Sequence, residues 1–232
     1  MEALSTPEFW IAVGQIIMID ILLGGDNAVV IALACRGLPP EQRKWGIIWG
    51  TVGAIVLRVL LIAFALTLLT VPYLKLVGAV LLLWIGIKLL MPQEDESHGN
   101  INSSDKLWGA VKTVIIAHLV MSVDNVLAIA GAAENAGNHQ LGLVIFGLLV
   151  SIPIIVAGSQ IVLKLMDRFP HIITLGGMLL GWIAGQMAIT DPAVKQWFEA
   201  TKTMEYSAAL AGALIVLFVG LYLQKVAKIN DK

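Results

Sequence analysis

The sequence contains a single cysteine, Cys35, among its 232 residues. A lone cysteine cannot form a disulfide within the chain, and it excludes metal sites built from paired cysteines. Charged residues are also scarce, at 13% of the chain, and the net charge is only -1. The sequence lacks the basic stripe interleaved with aromatic residues that is typical of nucleic-acid surfaces, so we expect no nucleic-acid partner.

Hydrophobic residues make up 58% of the chain, and the mean hydropathy is +0.87. Both values are far above those of a soluble domain of this size and indicate a membrane protein, with the lipid bilayer as its surroundings. The N-terminus lacks the positive charges of a signal peptide, and the apolar stretch from Phe9 to Ala34 is too long for the core of one. We therefore expect this stretch to be retained as the first membrane span.

Apolar windows of about 20 residues, the length needed to cross the hydrocarbon core, predict seven transmembrane helices. Their expected positions are 8–34, 45–70, 72–91, 107–133, 141–164, 171–190 and 207–226. The expected fold class is therefore an all-α polytopic membrane protein. The longer connection at 92–106 is rich in acidic residues, Ser, Asn and Gly, which predicts a mobile segment in water.

The first three spans repeat as the next three. At a distance of 98 residues, Asp26-Asn27 matches Asp124-Asn125, and Ile31-Ala32 matches Ile129-Ala130. Because three is odd, the second unit must cross the membrane in the opposite sense, which is the inverted-repeat construction of many secondary transporters. The expected divisions are a first repeat at 1–91, a cytoplasmic linker at 92–106, an inverted second repeat at 107–190, and a seventh helix with a cytoplasmic tail at 191–232. Further matches at 98 residues are Pro72, Gly78, Leu81, Leu82, Trp84 and Ile85 with Pro170, Gly176, Leu179, Leu180, Trp182 and Ile183, and at 97 residues Gly50 with Gly147.

The distribution of basic residues predicts the orientation of the chain. With the N-terminus outside, 3 Lys or Arg residues fall on the outer side and 11 on the inner side, leaving Arg58 within the second span. The positive-inside rule therefore places the N-terminus outside and the C-terminus in the cytoplasm.

The first helix of each repeat, which we call its lead helix, carries an Asp-Asn pair inside an apolar run. A charge there costs about 2.5 kcal/mol or more on insertion scales. Asp26, Asn27, Asp124 and Asn125 offer carboxylate and amide oxygens, a hard donor set that suits Mg²⁺, Ca²⁺ or Mn²⁺. An inverted repeat brings the two pairs together near the membrane midplane. The alternative interpretation is a structural clasp, in which Asp-Asn hydrogen bonds hold two helices together.

Three more side chains are candidate ligands. Asp20 lies two helical turns before Asn27 on the same face, and His118 occupies the matching place in the second repeat. Met121 is one turn before Asp124. An imidazole or a thioether favours a softer ion such as Mn²⁺ over Mg²⁺ and Ca²⁺. Packing in the core or between helices is the alternative for all three.

Arg58 is a basic residue at mid-depth in the second span, and the matching position of the second repeat is Ile155. It is either a counter-charge that keeps an empty acidic site neutral, or one member of a structural ion pair, or a side chain that reaches out of the membrane.

Gly24-Gly25 before the first Asp-Asn pair lowers helix propensity, and Ser122 before the second pair can bond back to a carbonyl. We therefore expect both lead helices to be bent or unwound at their motifs.

The stretches Leu23 to Ala32 and Ser122 to Ala130 resemble the paired Asp-Asn signatures of the TerC family, which is named for tellurium resistance and belongs to the LysE-type transporter group. The resemblance runs from about residue 8 to 225 and includes Gly50, Leu76-Val77-Gly78 and Trp84 to Lys88. Members of that family tend to have an acidic residue six positions before each motif Asp, which supports Asp20. In the second repeat this position is His118, so this chain departs from the pattern there.

The resemblance implies a bacterial inner-membrane exporter of divalent metal, chiefly Mn²⁺, with Asp26, Asn27, Asp124 and Asn125 at its centre. We expect alternating access, in which one repeat rocks against the other and proton antiport drives export. The metal is then cargo, and we expect neither a cofactor nor enzymatic activity. The alternatives are a non-transporting membrane scaffold or sensor of metal or tellurite stress, and an intramembrane aspartyl hydrolase that uses two aspartates.

Small residues permit close packing of helices. We expect this packing to be mostly internal, with a homodimer as the other option, at Gly78, Gly176, Gly177 and Gly181.

Overall fold

In the computed structural model, the described residues are 14, 17–18, 25–63, 71–91, 103–134, 140–197 and 201–230, with the backbone alone for 123–134, 140–144 and a few residues at helix ends. Every regular element of five or more residues in these ranges is an α-helix. The helices in chain order are α1 (Gly25–Cys35), α2 (Pro40–Ala63), α3 (Leu74–Leu90), α4 (Ser103–Glu134), α5 (Gln140–Arg168), α6 (His171–Ile189), α7 (Pro192–Lys195) and α8 (Lys202–Asn230).

Within the described residues, each predicted span overlaps one of these helices, and α7 is a short turn between the last two. Four helices, α2, α5, α6 and α8, are long and apolar enough to cross a membrane. Helix α3 has 17 residues, or about 26 Å, and α4 has 32 residues with a charged first turn. Helix α1 has 11 residues and overlaps the predicted first span over 25–34. The all-helical class is therefore confirmed for the described residues, while membrane crossing by α1, α3 and α4 stays a prediction.

The helices pack in two groups that cut across the sequence repeats. Helices α1, α2, α4 and α5 pack mainly on one another, with the most extensive contact between α2 and α4 and the next between α1 and α5. Helices α3, α6 and α8 form the second group, in which α6 packs against both α3 and α8. We call these groups the four-helix bundle and the three-helix panel. Contacts between them run mainly through α3 with α4 and α1 with α6.

Glycines set the closest approach of two helices within the panel. Gly181 of α6 and Gly212 of α8 face each other so closely that a Cβ on either residue would overlap the backbone of the other. Gly78, Gly176 and Gly177 also face side chains of other helices of this chain. The prediction that this small-residue packing is internal is therefore confirmed at all four positions.

Asp191 fastens one end of the panel. Its fully buried carboxylate caps α7 by accepting the N–H of Ala193 at 2.7 Å. It also accepts the N–H groups of Tyr73 and Lys75, both at 3.0 Å, and of Leu76 at 3.2 Å, at the first turn of α3. These donors have no partner within α3, because the first N–H groups of a helix lack an acceptor. Burial favours a higher pKa for Asp191, but the four N–H donors outweigh it and hold the pKa below its ordinary value.

The opposite ends of the helices are joined by arginines. Arg43 of α2 forms an ion pair with Asp167 of α5 at 2.7 Å and donates to the backbone oxygen atoms of Arg36 at 2.9 Å and Leu38 at 3.1 Å. Arg36 in turn donates to the carbonyl oxygen of Met91 at 3.0 Å. These groups all lie at the ends that the basic-residue distribution assigns to the cytoplasm.

The second lead helix is not unwound at its motif. Helix α4 runs without a break from Ser103 to Glu134, so the expected unwinding at Ser122 is wrong, while a bend there stays a prediction. Neither Gly nor Pro interrupts the chain between Gly109 and Gly131, and the Ser122 hydroxyl lies within reach of a side chain on α2 rather than disturbing its own helix. The start of α4 at Ser103 also makes the end of the predicted linker helical. In the first motif Gly24 lies outside the described residues.

Candidate cation-binding site

The first Asp-Asn pair lies in the first turn of α1 as the structure describes it. The carboxylate of Asp26 is partly buried and accepts the backbone N–H of Asn27 at 2.7 Å. Asn27 itself is only 1% exposed. From here α1 continues as an almost entirely buried helix, through residues such as Ile31 and Leu33, into the core of the four-helix bundle. The pair thus stands at the rim of the bundle core.

The second pair, Asp124 and Asn125, lies on α4, of which the structure describes the backbone at these residues. Helices α1 and α4 contact each other. The two lead helices are therefore neighbours, as the repeat predicts, while the approach of the two pairs to each other stays a prediction. Asp20 lies outside the described residues.

One turn before the second pair, α4 carries two buried polar side chains. Ser122 is fully buried, and His118 is 4% exposed. The Nε2 atom of His118 has no hydrogen-bond partner among the side chains that the structure describes. A buried polar atom without a partner costs about 1–3 kcal/mol of folding free energy. The burial of this imidazole therefore lowers the stability of the fold.

Arg58 of α2 completes this group of polar side chains. It is 1% exposed and is among the largest fully buried side chains of the chain. Its Nε lies 3.5 Å from Oγ of Ser122, at the outer limit of a hydrogen bond. His118 lies one turn before Ser122 on the same face of α4. We call Arg58, His118 and Ser122 the buried polar cluster.

Met121 has a different environment from His118, although it is on the same helix. It is 4% exposed and belongs to the apolar core together with Val30, Ile31 and Ala117. This packing accounts for the burial of Met121 without a ligand role, and its ligand role stays a prediction.

Among the side chains that the structure describes, no three His, Cys, Asp or Glu residues lie close enough together to hold a metal ion. A complete donor set therefore needs Asp124 or Asp20, whose side chains lie outside that part.

The sequence marks Arg58 as a lone charge in an apolar span, but it does not show which way the side chain points. The contact of Arg58 with Ser122 depends on how α2 packs along α4. Thr51 was missed altogether: it is 1% exposed on α2, and its Oγ1 has no hydrogen-bond partner among the described side chains. No pattern in the sequence distinguishes it from other buried threonines.

The fold and the exposed surface define the class of protein. Large apolar side chains that are more than half exposed lie on the helix surfaces, among them Val56 of α2, Val80 of α3 and Phe218 of α8. A soluble protein rarely exposes so much apolar surface, and the buried polar cluster lies in the interior behind it. This is an integral membrane protein with several apolar helices.

The chain belongs to the integral membrane protein TerC family, and the model of that family matches residues 5–228. It is 38% identical to the uncharacterized membrane protein YjbE of Bacillus subtilis over 221 residues, which cover 95% of this chain and 99% of that one. It is 29% identical to the uncharacterized membrane protein YceF of the same organism, over 81% of this chain and 74% of that one. A longer relative, the UPF0053 protein YegH of Escherichia coli, is 25% identical over 75% of this chain and 36% of its own length. No solved structure matches the chain.

Proposed function

We propose that this protein is a secondary transporter that exports divalent cations, Mn²⁺ foremost, across the bacterial inner membrane. The observation that carries the proposal is the buried polar cluster of Arg58, His118 and Ser122, which lies between α2 and the second lead helix, α4, of an integral membrane protein. Ionisable groups inside a membrane protein line the paths of ions and substrates far more often than they serve packing alone. The oxygen donors of the motifs suit a hard divalent ion, and His118 is available to shift the preference toward Mn²⁺.

The contacts between helix ends support seven spans with the N-terminus outside. Asp191 binds the start of α3, and seven spans place both segments on the outer side. Arg43 pairs with Asp167, and the same topology places both in the cytoplasm. Every span, including α1, α3 and α4, then crosses the membrane once.

The register of helix packing supports the inverted repeat. Helix α2 packs along α4, where Arg58 meets Ser122, and α5 packs along α1, where Gly158 faces Ala28. At the offset of 97 residues Gly158 matches Leu61 of α2, and at the offset of 98 residues Ala28 matches Val126 of α4. The contact between Gly158 and Ala28 therefore corresponds to the positions Leu61 and Val126. That position is one turn beyond Arg58 and Ser122 in both helices. The two halves thus pack with nearly the same register, as a two-fold axis in the membrane plane requires.

The same packing suggests which bodies move. Because α2 lies on α4 and α1 lies on α5, each repeat is embedded in the other, and rocking of whole repeats would break the largest interfaces of the bundle. We place the movement instead between the four-helix bundle and the three-helix panel, whose mutual contacts are fewer. Alternating access then exposes the lead-helix motifs first to the cytoplasm and then to the outside.

Export needs an energy source. Moving a divalent cation outward against an inside-negative potential costs about 4.6 kcal/mol at about 100 mV. Inward movement of protons offsets this cost if groups at the site exchange protons for metal. Asp20, His118 and the motif aspartates are the candidates for this exchange.

The test is metal flux in proteoliposomes for matched variants. Asp26→Asn and Asp124→Asn should each abolish Mn²⁺ transport while the protein still inserts and elutes as a folded species. The control is Asp105→Asn, which removes an exposed carboxylate from the first turn of α4 and should transport like wild type. Retained flux in both motif variants would overturn the site. Absence of flux in the wild type itself would favour the scaffold or sensor interpretation.

A further inference from the structure

We propose that Arg36 is a cytoplasmic latch: its guanidinium joins the four-helix bundle to the three-helix panel and holds the cytoplasmic side closed in the state described here. The transporter opens toward the cytoplasm when this hydrogen bond breaks. The proposal rests on the transport function and the topology proposed above, and it adds a gate to them. Its basis is one hydrogen bond at the end of α3 and the packing of α1 on α6 one turn from it.

The Arg36 side chain bridges the two groups of helices. Arg36 lies in the turn between α1 and α2, which belong to the bundle, and its Nη2 donates to the carbonyl oxygen of Met91 at 3.0 Å. Met91 directly follows α3 of the panel. The last carbonyl groups of a helix lack a donor within the helix, so this end of α3 is available to a donor from another element. A charged donor makes the stronger kind of hydrogen bond. The contact therefore resists separation of the bundle from the panel.

Both partners of this bond are anchored in their own group of helices. On the bundle side, Arg43 of α2 donates to the backbone oxygen of Arg36 itself at 2.9 Å. On the panel side, Nε2 of Gln224 on α8 donates to the carbonyl oxygen of Leu90, the residue before Met91. The turn after α1 is thus tied to the bundle, and the end of α3 is tied to the panel. A movement of one group against the other at these ends must stretch or break the bond from Arg36 to Met91.

The end of α1 next to the latch is closed in this state. Every residue from Val30 to Cys35 is at most 6% exposed, whereas Asp26 near the other end of α1 is partly exposed. Where α1 meets α6, a Cβ on Gly176 would lie 2.8 Å from Cδ1 of Leu33 and 2.9 Å from Cγ1 of Val29, so bundle and panel are in tight contact there. We call this contact the seam. A path for a cation along this end of α1 therefore requires that bundle and panel separate.

Thiol labelling from the cytoplasmic side measures this separation without any transport assay. Leu33 is 0% exposed and faces the panel, so Leu33→Cys in a Cys35→Ser background places a thiol in the seam. In inverted membrane vesicles, Arg36→Gln should raise the rate of its reaction with a membrane-impermeant maleimide by tenfold or more, because the open state is populated more often. Arg168→Gln, which removes an exposed arginine from the end of α5, is the matched control and should leave the rate unchanged. An unchanged rate in Arg36→Gln, with complete labelling of the denatured protein, would overturn the proposal.

Loosening of the turn is distinguished from opening of the seam by a second thiol and a second variant. The native Cys35 faces α2 within the bundle, where a Cβ on Gly46 would lie 2.9 Å from its Sγ. Opening of the seam leaves Cys35 covered, whereas fraying of the turn exposes it. Arg43→Gln removes two hydrogen bonds to carbonyl groups of the same turn and keeps Arg36. Labelling of Leu33→Cys should rise in Arg36→Gln and change less than threefold in Arg43→Gln, and native Cys35 should stay unlabelled in Arg36→Gln. An equal rise in the two variants, or at the two thiols, would show that Arg36 only supports the turn.

A reversible cross-link tests the latch within the transport cycle. In the Cys35→Ser background, Arg36→Cys with Met91→Cys allows a short cleavable bifunctional maleimide to fasten the bundle to the panel. Flux of Mn²⁺ in proteoliposomes should fall tenfold or more on cross-linking and return after cleavage, while the same reagent should not affect Arg36→Cys alone. Flux that survives complete cross-linking would contradict the latch.

The two proposals fail in different ways. Without any Mn²⁺ flux in the wild type the transport function fails, and the labelling of Leu33→Cys still decides whether Arg36 holds the seam closed. Flux in the wild type together with labelling that Arg36→Gln does not change removes the latch alone.

Discussion

Two regions of this protein bury an ionisable side chain, and they do so in opposite ways. At the end of the panel, the Asp191 carboxylate accepts four backbone N–H groups and joins α3 to α7. In the bundle, the His118 imidazole is 4% exposed, and its Nε2 has no hydrogen-bond partner among the side chains that the structure describes. A saturated buried charge holds structure together, whereas an unsaturated polar group is free to bind something else. We expect substitutions in the two regions to separate stability from transport.

The largest effect on stability is expected for Asp191→Ala. It leaves the N–H donors at the start of α3 without an acceptor and should lower the free energy of unfolding by at least about 2 kcal/mol. Thermal unfolding of the purified protein in detergent measures this loss. Affinity for Mn²⁺ in the fraction that remains folded should be unchanged. An unfolding temperature equal to that of wild type would contradict the role of Asp191 as a cap.

The converse result is expected for Asp26→Asn. The amide keeps the shape of the carboxylate, so the unfolding temperature should stay within a few degrees of wild type. Affinity for Mn²⁺ should fall at least tenfold, because a charged ligand is replaced by a neutral one. Titration of the purified protein with Mn²⁺ gives the affinity. Unaltered binding would return Asp26 to the structural clasp.

His118→Leu sharpens the comparison because its two effects should have opposite signs. Replacing a buried imidazole that has an unpartnered Nε2 should leave stability unchanged or raise it by about 1 kcal/mol. Transport of Mn²⁺ should nevertheless fall. The pair of measurements is the unfolding temperature and the initial rate of flux in the same preparation. A variant that is both less stable and equally active would show that His118 serves the core.

The pH dependence of stability should reveal Asp191 as well. Its pKa is lowered below the ordinary value of 3.8 in the folded protein, so the ionised form stabilises the fold. This contribution is complete above the ordinary pKa and is lost as the pH falls through the lower folded pKa. The difference in unfolding temperature between wild type and Asp191→Asn should therefore be constant from about pH 7 to about pH 5 and shrink only in stronger acid. A difference that vanishes already near neutral pH would contradict this assignment.

The smallest effect is expected for the ion pair at the cytoplasmic ends of α2 and α5. Arg43 and Asp167 are 27% and 52% exposed, so water screens much of their attraction. Asp167→Asn should cost about 0.2–1 kcal/mol of stability. The variant should bind Mn²⁺ like wild type, and a large loss of binding would mean that the pair couples to the site.

Several features of the fold could be predicted from the sequence because they depend on long apolar runs. In the described residues each predicted span overlaps a helix, but α4 and α8 begin at Ser103 and Lys202, several residues before their apolar windows. Polar first turns extend these helices past the membrane core, where hydropathy no longer marks them. Unwinding at Ser122 was expected from local propensity, and the continuous helix shows that the neighbouring residues outweigh one serine.

Tertiary contacts limited what could be predicted about the site. Asp191-Pro192 carries the local signal of a helix start, an Asp cap followed by a proline at the first helical position. That the same carboxylate caps α3 depends on a residue more than a hundred positions away. The direction of Arg58 and the grouping of helices into bundle and panel likewise follow from packing between repeats. The Asp-Asn motifs, by contrast, stood out because acids in apolar runs are rare.

The most direct test of the central claim is uptake of Mn²⁺ into proteoliposomes with an acidic interior, with the protein oriented so that its cytoplasmic face is outside. The account predicts that Mn²⁺ accumulates inside only while the pH gradient lasts, and that it does so in preference to Mg²⁺. Absence of movement of either ion, with or without the gradient, would contradict it, and the Asp-Asn pairs would then be a structural clasp between the lead helices.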